Sequence, residues 1–132
     1  MSYFLAKTDP DTYSIDDLAR DKKTVWDGVH NFQAINVIKT MKKGDIMFIY
    51  HSQGENSIVG EAKILTNAYE NIKDPRKSWA VDVEFIKKFT ADKIVTLKQV
   101  KSMPQFKDWL LVRNSRLSTM PAPEEFVKFF KL

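Results

Sequence analysis

The apolar positions of the chain change their spacing several times, and each spacing predicts a different element. Tyr3 to Thr8 is a short, mostly apolar run that reads as a first strand. Asp9-Pro10-Asp11 is a turn signal, and Ser14-Ile15-Asp16-Asp17-Leu18 opens a helix. Ser14 is placed to cap the Asp17 amide, Asp17 to reach back, and Tyr13 and Leu18 take the two positions of a hydrophobic staple. Ile15, Leu18 and Ala19 give that helix its apolar stripe. Lys23 to Trp26 reads as a short strand turned by Asp27-Gly28. From Asn31, an N-cap residue type, Ala34, Val37, Ile38 and Met41 recur on one helical face, and Lys42, Lys43 and Gly44 supply a stop signal.

Ile46 to Tyr50 is an unbroken apolar run between Asp45 and Ser52, the pattern of a central strand buried on both faces. Ser57 to Thr66 and Trp79 to Phe89 follow as strands; in the second, Val81, Val83 and Phe85 alternate with Asp82 and Glu84. Asn67 to Ser78 is polar and contains Asp74-Pro75, so it reads as a loop. Leu97, Val100 and Lys101 suggest a short helix, Leu111 to Met120 an extended segment, and Pro123 the opening of a last helix with Phe126, Phe129 and Phe130 on its core face. Strands and helices mix without regular βαβ alternation. The expected fold class is α+β, with a curved, mostly antiparallel sheet or small barrel and flanking helices.

Composition narrows the function more than the fold. The 132 residues are 43% hydrophobic and 29% charged, which fits one domain over residues 1–132 with a core that needs no covalent staples. The absence of cysteine excludes disulfides, thiolate zinc sites and a thiol nucleophile. The start, Met1 to Lys7, is too short an apolar stretch for a signal peptide, and no window approaches the ~18 apolar residues of a membrane span. A cytoplasmic protein without a membrane partner is expected. Lys and Arg total 21 against 17 Asp and Glu, and the resulting +4 is a mild bias toward polyanions.

Catalytic chemistry finds little support. His30 and His51 stand far apart with no metal-ligand spacing around them, and there is no GxGxxG, GxxxxGK[ST] or GxSxG motif. No metal, cofactor or catalytic residue is expected, and a non-enzymatic role is favoured. What stands out is polar and aromatic residues grouped at element ends: Lys7-Thr8, Trp26, Val29-His30-Asn31, Tyr50-His51-Ser52, Trp79, and Arg116 to Pro121. Such positions are where a rigid scaffold presents groups to a ligand. Each also has an ordinary structural use: packing for Trp26, Trp79 and Met120, a helix cap for Asn31, strand-end hydrogen bonds for His51 and Ser52, and a solvated face for Lys39, Lys42 and Lys43.

Read in order, the blocks Lys7 to Leu18, Trp26-Asp27-Gly28-Val29-His30-Asn31-Phe32-Gln33-Ala34, Lys43-Gly44-Asp45, Tyr50-His51-Ser52, Ile58 to Ala62, Val81-Asp82-Val83 and Arg116 to Pro121 resemble the EVE domain family over nearly the whole chain. The resemblance implies a PUA-like fold, a small curved β-barrel with flanking helices related to YTH and ASCH domains. It also implies association with nucleic acid and a pocket that accepts a modified base. Carried over, that pocket is bounded by Lys7, Thr8, Trp26, Val29, His30, Asn31, Tyr50, His51, Ser52, Trp79, Ser118 and Met120. The chain departs from the family pattern at His30, where arginine is usual, at Thr8-Asp9, where Ser-Glu is usual, and at Thr119, where valine is common.

The functional expectation is therefore a monomeric module that binds DNA or RNA carrying a modified base such as a modified cytosine or adenine. Trp26 would stack on the base, Trp79 or Met120 would cover its substituent, and Thr8, Asn31 and Ser52 would read its edge. Lys7, His30 and Arg116 would hold phosphates. Three alternatives stand beside it: a module for unmodified RNA, a small-metabolite or hydrolytic protein with His51 as base next to Ser52 or Tyr50, and a protein-interaction domain.

Overall fold

The computed structural model describes residues 1–54 and 56–132. The chain runs β1 (Tyr3–Thr8), α1 (Ile15–Asp21), β2 (Lys23–Trp26), α2 (Phe32–Ile38), β3 (Ile46–His51), β4 (Ser57–Ile64), β5 (Tyr69–Asn71), β6 (Ser78–Lys88) and β7 (Val95–Thr96). It continues through α3 (Leu97–Lys101), a 3₁₀ turn at Pro104–Phe106, α4 (Leu110–Arg113), β8 (Thr119–Pro121) and α5 (Glu124–Phe130). The α+β class and the largely antiparallel curved sheet expected from the sequence are both present. Strand order is β2-β6-β4-β3-β1-β8, with β5 added to β6 and β7 to β4. The end strands β2 and β8 do not pair with each other, so the barrel stays open on that side. Among the described residues only β1 and β3 run parallel, in the register Lys7 opposite Tyr50 and Thr8 opposite His51.

The central strand β3 is buried on both faces, as its unbroken apolar run predicts. Met47 and Ile49 face one core with Phe4, Ala6, Ile15, Leu18, Trp26, Val81 and Val83. Phe48 and Tyr50 face a second core with Leu5, Phe106, Trp109, Met120 and Phe126. Helix α1 thus packs on the first core and α3 to α5 on the second, while α2 reaches both, through Ile38 and Ala34. The approach of α1 depends on Gly60 of β4, where a Cβ would lie 2.6 Å from Ile15 Cδ1 and 2.6 Å from the Lys87 carbonyl oxygen.

The capping box expected at α1 is formed, and Ile15 and Leu18 are buried. The Asp17 amide donates to Ser14 Oγ at 3.1 Å, and the Ser14 amide donates to Asp17 Oδ2 at 2.9 Å. Asn31 caps α2 by accepting the Ala34 amide at 3.1 Å. Other expectations need correction. Helix α2 stops at Ile38, one turn before the lysines and Gly44; Met41 is still buried, but on the turn that leads into β3. The segment from Leu111 is not extended, because α4 occupies Leu110–Arg113 and β8 begins only at Thr119. The supposed loop after Asn67 contains β5, paired to Ala80, Trp79 and Ser78 of β6. Phe129 is 54% exposed, and Val127 takes the core position beside Phe126 instead. Among the described residues, no helix is long and apolar enough to cross a membrane.

Candidate functional site

A cavity of about 630 Å³ opens where the barrel is left unclosed, and residues from the end of β1, from the turn after it, from β2 and its following turn, and from just before β8 line it. Volume and position are those of a small-ligand site on a rigid scaffold. Trp26 forms its apolar wall; the indole is 8% exposed and meets Tyr13 edge-on, with ring centroids 6.4 Å apart. Val29 adds a second apolar surface, and Gly28, at φ 78°, lets the chain turn tightly from β2 toward α2. The hydroxyls of Thr12 and Ser118 line the cavity and make no hydrogen bond among the described residues, whereas Thr8 Oγ1 donates to the Tyr13 carbonyl at 2.7 Å.

Lys7 and His30 bring charge to the cavity in different ways. Lys7 is half-buried, and the desolvation of its ammonium lowers its pKa. It donates to the Ser115 carbonyl at 3.1 Å and lies 5.4 Å above the Tyr50 ring, with no carboxylate ion partner among the described residues. His30 has such a partner, because its Nε2 lies 2.7 Å from Asp74 Oδ2. Asp74 also accepts from the Ser78 hydroxyl at 2.5 Å and the Arg76 amide at 2.8 Å. These bonds, led by the one from Ser78, hold its carboxyl at about 2, well below the usual carboxylate range. His30 is therefore clasped to the loop before β6, and one ring nitrogen is unavailable for the phosphate contact expected of it.

The remaining residues expected at the site divide among three places. Tyr50 and Ser52 line a second, smaller cavity, which shares Lys7 with the first. His51 accepts the Ile15 amide on its Nε2 at 3.1 Å, and burial lowers its pKa. That nitrogen anchors the start of α1, so the sequence-based alternative with His51 as a general base loses its free lone pair. Met120 is fully buried in the second core, Trp79 is half-buried beneath Lys39 Nζ at 5.2 Å from its ring, and neither lines the main cavity. Asn31 and Arg116 are exposed beyond it, Asn31 occupied as the α2 cap. Conversely, Thr12, Tyr13, Thr24 and Asp27 line the cavity without having been singled out. Tyr13 and Asp27 flank blocks already suspected, but nothing in their spacing separates a lining residue from a staple or turn residue. Among the described residues, no group of three or more acidic or histidine side chains is placed to hold a metal ion.

Comparison with known proteins places this arrangement. The EVE domain family model matches residues 2–130. The chain belongs to the EVE domain family. Human thymocyte nuclear protein 1 is 31% identical to this EVE domain, over 97% of the chain and 72% of the human protein. A crystal structure of a Pseudomonas syringae protein superposes with a TM-score of 0.86 at 34% identity, covering 98% of both chains. The structure of human THYN1 protein in complex with 5-methylcytosine containing DNA superposes with a TM-score of 0.85 at 28% identity, covering 99% of this EVE domain and 96% of that chain. The PUA-like fold expected from the sequence is thereby established for this EVE domain.

Proposed function

We propose that this EVE domain is a monomeric module that binds nucleic acid and takes a modified base, with 5-methylcytosine the first to test, into the cavity walled by Trp26. The observation that carries this reading is the cavity itself: about 630 Å³ at the open side of the barrel, with an aromatic wall, two uncommitted hydroxyls and a desolvated lysine at one rim. A relative of the same fold in complex with 5-methylcytosine containing DNA supports it. Extruding a base costs a few kcal/mol of stacking and pairing. Contact with an aromatic side chain returns about 1–3 kcal/mol per base. Trp26 and Val29 supply apolar surface, and Thr12 and Ser118 supply donors for the base edge. Lys7 supplies positive charge where the strand enters.

Burial of a methyl group adds about 0.8 kcal/mol, close to the value for one CH₂, so discrimination between cytosine and its methylated form should be only about fourfold. The test is a fluorescence titration of matched DNA and RNA oligonucleotides with and without the modified base, repeated with Trp26→Phe and Lys7→Gln. The reading requires tighter binding of the modified strand, with Trp26→Phe reducing the preference. Equal affinity across the set, or no binding at low salt, overturns it. Binding that persists without the modification and weakens steeply with salt would instead identify a module for unmodified RNA.

A further inference from the structure

The base-binding reading leaves the second cavity without a role, although its chemistry is strongly one-sided. It measures about 170 Å³ and is lined by Lys7, Tyr50, Ser52, Asn56 and Lys101, with an apolar wall from α3 and α4. Among the described residues no carboxylate lines it, and neither lysine makes an ion pair. Tyr50 is 2% exposed, and its hydroxyl makes no hydrogen bond among the described residues. Thr119 Oγ1 is the one side-chain polar atom fully buried without a partner among the described residues, so the Tyr50 oxygen is open to the cavity and free to donate to a ligand there. The Ser52 hydroxyl and Asn56 amide face the same space without side-chain partners among the described residues. The cavity has the volume of about six waters, at ~30 Å³ each, which leaves room for one tetrahedral oxyanion.

We infer that this second cavity is an anion site for a phosphate group of the strand whose base occupies the main cavity. The strand part of this inference rests on the proposed function; the anion site itself does not. Lys7 lines both cavities, so it places the phosphate close along the backbone to the bound base. Lys101, in the last turn of α3, supplies the second charge, and the Tyr50 hydroxyl donates from the cavity wall. The contact fixes register and carries no sequence information of its own.

Two measurements test the site. In the first, inorganic phosphate is titrated into ¹⁵N-labelled protein at constant ionic strength. Saturable shifts are expected at the amides of Ser52, Leu97 and Ser115, lost in Lys101→Gln and weakened in Tyr50→Phe, which removes only the hydroxyl. In the second, the phosphates of a modified-base oligonucleotide are replaced one at a time by uncharged methylphosphonate. One replacement should weaken wild-type binding about threefold to tenfold, the scale of one lysine–phosphate contact, and weaken Lys101→Gln no further. Unmoved amides, together with methylphosphonate costs that are the same in both proteins, overturn the inference. Oligonucleotides that do not bind while phosphate still saturates the site would overturn the base-binding reading and leave a free-phosphate site. Discrimination of the modified base with both cavity measurements silent would remove the anion site alone.

Discussion

Thr119 offers the sharpest test of the packing next to the site. It lies at 1% exposure on β8, paired to Ala6 of β1, and its Oγ1 is buried without a hydrogen-bond partner among the described residues. Thr119→Val replaces that hydroxyl with a methyl of nearly the same shape. A buried hydroxyl without a partner costs about 1–3 kcal/mol, and exchanging it for an apolar group recovers much of this. The variant should be about 1–2 kcal/mol more stable, which for a domain of this size raises the melting temperature by roughly 3–8 °C. Urea unfolding followed by circular dichroism is the assay, with the midpoint expected to rise at unchanged slope. A stability equal to or below wild type would refute the reasoning, since it would mean that the hydroxyl is satisfied in solution. Oligonucleotide affinity should stay the same, because Thr119 does not line the main cavity although its neighbour Ser118 does.

The Asp74 clasp predicts an acid-sensitive step. Its folded pKa of about 2 lies below the ordinary 3.8, so its contribution is complete above pH 4 and is lost as pH falls toward 2. Asp74→Asn should lower stability at neutral pH and flatten this part of the acid unfolding curve; an unchanged curve would refute the clasp. His51 behaves in the opposite chemical sense but with the same direction on the pH axis, because burial favours its neutral form and the Ile15 amide needs an unprotonated Nε2. Stability from this contact is full above pH 6.5 and declines as pH drops below it, which hydrogen exchange at the Ile15 amide should register as loss of protection after correction for intrinsic rates. Gly60→Ala should destabilise the fold by about 1–3 kcal/mol through overpacking against Ile15 and the β6 backbone, measured by the same urea assay; wild-type stability would show that α1 can yield.

How much of this was legible beforehand depends on whether the determinant is local. The start of α1 was readable because Ser14, Asp17 and Leu18 carry its signals within one turn. β1, β2 and β3 were readable from their apolar runs and flanking turns. In contrast, α4 is a single turn with no side-chain cap, and Trp109 at its start is fixed by a hydrogen bond from Nε1 to the Pro121 carbonyl at 2.9 Å, a tertiary contact. β5 is three residues long and exists because β6 offers an edge. The site followed the same division. Lys7, Thr8, Trp26, Val29, His30 and Ser118 all reach the main cavity, as their positions at element ends suggested. The pairing of His30 with Asp74 spans 44 residues, and the separation of Tyr50 and Ser52 into a second cavity depends on how α3 and α4 cover the sheet. Neither leaves a mark in local spacing.

The position of β1 also bears on how the chain reaches its native state. This strand lies between β3 and β8, and its partners on the β8 side, Thr119 to Pro121, lie more than a hundred residues later in the sequence. During synthesis β1 is made early and its last neighbour late, so the Lys7 end of the strand lacks Ser118, a lining residue of the main cavity, until β8 docks. Until then it presents an unpaired edge beside exposed core residues, a surface prone to pairing with another chain. The segment that completes the main cavity is thus also the one that covers this edge, so the docking of β8 both fills out the cavity and removes the hazard.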